Sequence, residues 1–185
     1  MRMRSVLFFL LVWVWTPLAT AATLEGVNMP DSAQVNGKTL VLNGMGLRKK
    51  FIVKVYVAGL YLPSKEKSAD KILSSDTERK LVMEFVREVE KDKICNAWKE
   101  GLKNNSPGSA AALGPKFDTL CKYMADMEKG SKNIYTYVPG KGTQVRVNGA
   151  EKGDDRRQGF CRRSFCSLIG PKLPSEEFKK GLLGE

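Results

Sequence analysis

Arg48 is the side chain whose chemistry most needs a partner. In LVLNGMGLRKKFIVKVYVAGLYLP, residues 40–63, it stands with Lys49 and Lys50 just before a run that is apolar on both alternating faces. An arginine there either lies exposed in a loop, as arginines mostly do, or turns inward. Turned inward it must meet a carboxylate, from the protein or from a ligand, because an unpaired buried charge costs several kcal/mol. Its planar fork suits a bidentate carboxylate contact better than a lysine would. Tyr56, eight residues further along the run, is a second candidate for the same oxygen.

Other chemistry is limited by what the chain lacks. It contains no histidine, which removes Ser-His-Asp and Cys-His catalysis and every His-containing zinc site. The four cysteines, Cys95, Cys121, Cys161 and Cys166, include no C-x-x-C pair and so no thioredoxin-like centre. Cys95 and Cys121 can pair in an oxidising compartment; both also fall at mixed apolar positions that suit buried free thiols. Gly44-Met45-Gly46 lacks the third glycine of a dinucleotide fingerprint, and Gly140-Lys141-Gly142-Thr143 lacks the phosphate-loop spacing, so both are expected to be turns. No cofactor and no metal is called for.

The elements that must position Arg48 follow from periodicity. Asn36-Gly37 marks a two-residue hairpin, Gly44 and Gly46 punctuate the next turn, and residues 51–62 form a central strand covered on both sides. On that strand Phe51, Val53, Val55, Val57 and Tyr61 share one face, with Ile52, Lys54, Tyr56, Ala58, Leu60 and Leu62 on the other. Residues 68–74 suit a short helix and residues 80–89 a strand. Ile94, Trp98 and Leu102 then recur at helical spacing, and Phe117, Leu120, Cys121, Met124 and Met127 form a second helical stripe that Gly130 stops. Residues 134–138 and 143–147 pair around Pro139-Gly140-Lys141-Gly142, Asn148-Gly149 offers a further hairpin turn, and Ser175 caps a last helix over 176–183. Strands, helices, strands, helix is the order of an α+β domain with its helices on one side of an antiparallel sheet.

Residues 1–21 carry a basic start, an apolar run over 5–15 and a small-x-small end, the pattern of a secretory signal peptide. The domain is therefore expected over residues 22–185 of an exported protein, periplasmic in a bacterium, with no membrane span. Loss of Arg2 and Arg4 with the leader takes the formal charge from +11 to about +9. Export argues against a nucleic-acid partner for that charge, much of which crowds into Arg156, Arg157, Arg162 and Arg163. As a native loop, that cluster suits anionic lipid headgroups or polymers.

The first block, together with ADKILSS, KLVMEFVREVEKDKICNAWKEGL, YTYVPGKGTQVRVNG and PSEEFKKGLLG, resembles the bacterial branch of the chalcone isomerase-like family. The resemblance covers residues 27–184. It implies an open-faced β-sandwich: a large antiparallel sheet, a helical layer on one face, and a ligand cleft between them. Family members include enzymes that close chalcones to flavanones, and fatty-acid binders without known catalysis. The family's cleft arginine, in a Gly-x-Arg turn, corresponds to Arg48, and Tyr56 stands where the enzymes place a threonine. At the next strand-to-helix junction Lys93 is kept, Glu90 takes the tyrosine position and Ala97 the asparagine position, with Asn96 adjacent. In the enzymes the arginine stabilises a developing enolate while tyrosine and threonine organise water at the ketone. With both replaced, the resemblance implies binding of a fatty acid or similar apolar carboxylate by Arg48, Tyr56, Lys93 and Asn96. An intramolecular lyase acting on a chalcone-like or phenolic enone, again through Arg48, is the alternative.

One segment departs from the family. RQGFCRRSFC, residues 157–166, stands where relatives resemble Gly-Lys-Asp-Phe-Ala-Asp-Ala-Leu-Phe, and codons for that run, read one nucleotide out of phase, can give Arg-Gln-Gly-Phe-Cys-Arg-Arg-Ser-Phe. Two compensating frameshifts are the expected cause, which DNA lacking any such alternate frame would exclude. The arginine cluster and Cys161/Cys166 would then have no role of their own.

Overall fold

The computed structural model describes residues 21–105, 107–155 and 175–185. The arginine cluster and the anomalous segment that holds most of it lie outside the described residues. So does the expected leader except Ala21, which opens the first strand. Strands β1 (Ala21–Leu24) and β2 (Val27–Pro30) form a two-stranded sheet. A seven-stranded antiparallel sheet follows strictly in chain order: β3 (Ser32–Val35), β4 (Lys38–Lys50), β5 (Val53–Leu62), β6 (Arg79–Phe85), β7 (Lys132–Val138), β8 (Gly142–Val147) and β9 (Ala150–Asp155). Helix α1 (Ala69–Ser74) joins β5 to β6, and α2 (Lys91–Asn105) and α3 (Ala110–Tyr123) join β6 to β7; α4 is Glu176–Leu182. The fold is α+β, as the alternation of periods predicts. No helix among the described residues is long and apolar enough to cross a membrane.

The core lies on both faces of β5. Ala58, Leu60 and Leu62 join β6 residues Leu81, Met83 and Phe85 against Ile94, Trp98 and Leu102 of α2, Phe117 of α3 and Phe178 of α4. On the opposite face Val57 and Tyr61 pack with Leu40 and Leu42 against Val27 and Met29 of the small sheet. The two-sided apolar pattern of β5 thus has a physical cause on each side. Helices α2 and α3 are tied by a disulfide between Cys95 and Cys121, 26 residues apart, so the cysteines are paired rather than free. Closing a loop of that length contributes about 3.5 kcal/mol in the chain-entropy account.

The Ser175 capping signal holds, and Ser68 proves to be a second N-cap. Ser68 Oγ accepts from Lys71 N at 3.3 Å, and Ser175 Oγ from Phe178 N at 3.1 Å. Three expectations need correction. Helix α3 ends at Tyr123, before Met124 and Met127; Met127 instead bridges to Val89, and Gly130 takes its positive φ in the turn beyond. Gly44 and Gly46 lie inside β4, not in a turn, because α4 crosses β4 so closely that no side chain fits between the backbones. A Cβ on Gly44 would sit 2.1 Å from the Gly181 carbonyl oxygen. The central strand begins at Val53, not Phe51, since Phe51 and Ile52 form the two-residue turn between Lys50 and Val53. Arg48 is therefore a strand residue rather than a turn residue at the mouth of a strand.

One buried charge lies outside the site discussed below. Arg79, fully enclosed, donates to the Ile72 carbonyl at 2.8 Å and to the Ser75 carbonyl, and its guanidinium lies over the Tyr137 ring. The Tyr137 hydroxyl in turn donates to Asp76. A cation on the last carbonyls of α1 satisfies acceptors that the helix leaves open, which makes Arg79 structural.

Candidate functional site

Arg48 and Tyr56 are directly opposed across β4 and β5, and a register shift between Arg48 and Lys49 lies at the same point. Such a bulge re-aims the side chains beside it. The half-buried Arg48 donates through Nη1 to the Lys49 carbonyl, which fixes the guanidinium near the Tyr56 phenol. Tyr56 points toward the helical layer, its ring 5.5 Å from Phe85 and 5.9 Å from Phe178. Burial of the hydroxyl pushes its pKa up to about 12, against the opposing pull of the Arg48 charge and hydrogen bond. At neutral pH the site thus presents a fixed cation and a neutral phenol side by side at the edge of an aromatic surface. Both are donors, so the pair suits an anionic or strongly polarised oxygen.

A second phenol lies behind the first. Tyr135 of β7, 5.1 Å from the Trp98 ring, is held neutral by burial and, secondarily, by the nearby Tyr56. Asn133, on the same face of β7, is fully buried; its Nδ2 lies 3.5 Å from Met124 Sδ and its Oδ1 accepts no hydrogen bond. Sequence reasoning missed Asn133 and Tyr135. The available signal was a polar residue in phase with Tyr135 and Tyr137 on the inward face of an alternating strand.

The other two sequence-derived candidates stand apart. Lys93 pairs with Glu90 at 2.7 Å, both side chains well exposed. Asn96 is exposed too, because Ile94 and Trp98 take the inward stripe of α2. The structure brings Arg48 and Tyr56 together and adds Tyr135 and Asn133; it leaves Lys93 and Asn96 on the solvent side.

A depression of about 360 Å³ lies on the other face of the sheet, lined by Gln34, Lys80, Thr136, Lys141, Gln144 and Arg146. Desolvation, with Arg146 nearby, lowers the Lys80 pKa. Its lining mixes these polar and cationic groups with Val35, Ile134 and Val138.

The buried phenols make folding pH-dependent. Tyr56 has a folded pKa above its ordinary value of 10.0, so its contribution is complete below pH 10 and is lost as pH rises toward about 12. Urea unfolding followed across that window is expected to show falling stability that Tyr56→Phe partly flattens. An unchanged slope in the variant would place the Tyr56 hydroxyl in water.

Residues 21–184 match the family described as chalcone isomerase-like. No curated protein matches the chain by sequence. Among solved structures, a fatty-acid binding protein of Arabidopsis thaliana superposes with a TM-score of 0.71 at 19% identity, covering 89% of this chain and 96% of its own. At that identity the likeness speaks to fold, and it agrees with the sheet and helical layer described above. The family match spans nearly all of the described chain, and on that ground the protein belongs to the chalcone isomerase-like family.

Proposed function

We propose that this chain is an exported, non-catalytic binding protein for a fatty acid or similar apolar carboxylate. The observation that carries the reading is the Arg48–Tyr56 pair, a fixed cation beside a phenol that stays neutral, set against the Phe85 and Phe178 rings. Arg48 anchors the carboxylate, Tyr56 donates a second hydrogen bond, and the hydrocarbon lies between sheet and helices. Met83, Met124 and Met127 line that core, and unbranched thioethers repack around an inserted chain at low cost. The fatty-acid binding of the Arabidopsis neighbour supports the ligand class. A lyase is disfavoured because neither donor is a base at neutral pH, and Glu90, at the enzymes' tyrosine position, is exposed and paired with Lys93.

Native mass spectrometry of the exported protein, purified without detergent beside Arg48→Ala, tests this. A small acid carried by the wild type and absent from the variant is the expected result. Turnover of a chalcone that Arg48→Ala abolishes would replace the binding reading with the enzymatic one.

A further inference from the structure

The described residues make four two-residue hairpin turns, and one is unlike the rest. Glu25-Gly26, Asn36-Gly37 and Asn148-Gly149 each place two positive-φ residues, ending in glycine, at the apex. That is the chemistry such a turn favours. The β4–β5 apex instead carries Phe51 and Ile52, with Phe51 at φ 56°, a conformation that costs a bulky side chain energy. Both side chains are almost fully in water, 91% and 92% exposed. A polar apex would relieve strain and exposure together, and this hairpin carries an apolar pair instead. Cations surround it: Arg48, Lys49 and Lys50 on β4 and Lys54 on β5. Lys49 and Lys54 have acidic neighbours, Glu177 at 3.6 Å and Glu25 at 2.6 Å.

We propose that the Phe51-Ile52 apex is a membrane-docking tip that inserts into the interface of an anionic lipid bilayer. Two adjacent side chains on a narrow hairpin are too small a surface for a stable protein partner, which needs about 800 Å² per side. They are enough for a bilayer, where an aromatic and an aliphatic side chain settle at the headgroup–acyl boundary while flanking lysines meet anionic headgroups. Docking goes beyond the ligand-binding reading and does not depend on it. If that reading also holds, the docked tip puts Arg48, at the same end of the hairpin, next to the lipid from which an acyl carboxylate would come.

Sedimentation with vesicles of phosphatidylglycerol and phosphatidylcholine, against phosphatidylcholine alone, tests the proposal on the exported full chain. Wild type is expected to partition onto the anionic vesicles and to be released by salt. Phe51→Asn/Ile52→Gly installs the turn chemistry found at Asn36-Gly37, so it should fold at least as stably, yet lose partitioning by about tenfold or more. Lys50→Glu should weaken it by at least about fivefold. Equal sedimentation of wild type and the Asn-Gly variant, or none by wild type, overturns the proposal. So does a wild-type dimer that ignores vesicles and that the Asn-Gly variant dissociates, since a second copy would then be what covers the tip. Dodecanoate affinity in vesicle-free solution, measured on the same variant, should be unchanged; its loss would implicate the ligand site rather than the tip.

Discussion

Arg48→Ala is expected to weaken binding of a soluble fatty acid such as dodecanoate by about 30- to 100-fold, read by calorimetric titration of delipidated protein. A hydrogen bond to a charged group contributes about 1.5–3 kcal/mol, and each 1.4 kcal/mol is about tenfold in affinity. Arg48 supplies both the charge and the donor, and its guanidinium is held by the Lys49 carbonyl, so little ordering is required on binding. Arg48→Lys should recover only part of the loss, because a point charge cannot replace the planar fork. Tyr56→Phe should cost less, about tenfold, since it removes one neutral donor and keeps the ring against Phe85 and Phe178. The methyl ester should bind wild type and Arg48→Ala alike. Equal affinity of wild type and Arg48→Ala for the free acid would show that the carboxylate is held elsewhere, and the polar depression around Lys80 and Arg146 would be the next place to look.

Gly44→Ala should be among the most damaging single-methyl additions in the molecule, lowering stability by about 3 kcal/mol or more in urea unfolding. The added Cβ meets three backbone atoms of the C-terminal segment: Gly181 O at 2.1 Å, Gly184 N at 2.7 Å and Leu182 O at 2.9 Å. None can rotate away, so α4 must lift. Lifting breaks the bond from Asn43 Nδ2 to the Leu182 carbonyl, 2.8 Å, and exposes Phe178 and Leu182, both fully buried. It also takes the Phe178 ring away from Tyr56, so ligand affinity should fall with stability. Gly114→Ala in α3 is the control. A Cβ there meets nothing within 4 Å, and alanine in a helix is favoured over glycine by about 1 kcal/mol. A Gly44→Ala protein as stable as wild type would mean that α4 does not rest on β4.

The parts of the fold legible in the sequence were those governed by local chemistry. The Asn-Gly turns, the Ser175 cap and the helical stripe of Ile94, Trp98 and Leu102 each depend on a few neighbouring residues, and each stands where the local pattern puts it. The errors came from long-range packing. Gly44 and Gly46 looked like turn residues because glycine's commonest use is local, whereas here the reason for glycine is a helix some 140 residues away in the chain. Phe51 and Ile52 looked like strand residues because β-propensity does not distinguish a buried apolar pair from one at an exposed apex. At the candidate site, Arg48 and Tyr56 could be named from the charge-before-strand pattern and the family resemblance. Their direct opposition depends on a bulge that no local pattern announces. Asn133 and Tyr135 join them through the pairing of β6 with β7, across two intervening helices.

The strict chain order of the large sheet, with α4 as its exception, implies an order of assembly. Each strand pairs with its neighbour in sequence, and three of the connections within the large sheet are two-residue turns, so most of the sheet can zip up through short closures. The α4 contact closes a loop of 139 residues and carries the largest entropic cost of any contact described here. Helix α4 is therefore expected to dock last. In pulse-labelled hydrogen exchange its amides should gain protection after those of β6 to β8, and simultaneous protection would contradict this. Because Phe178 belongs to α4, the aromatic wall beside Tyr56 is completed only when this helix docks. A chain caught short of that step would have an open, unfinished site, so a ligand would be acquired only after this helix has docked.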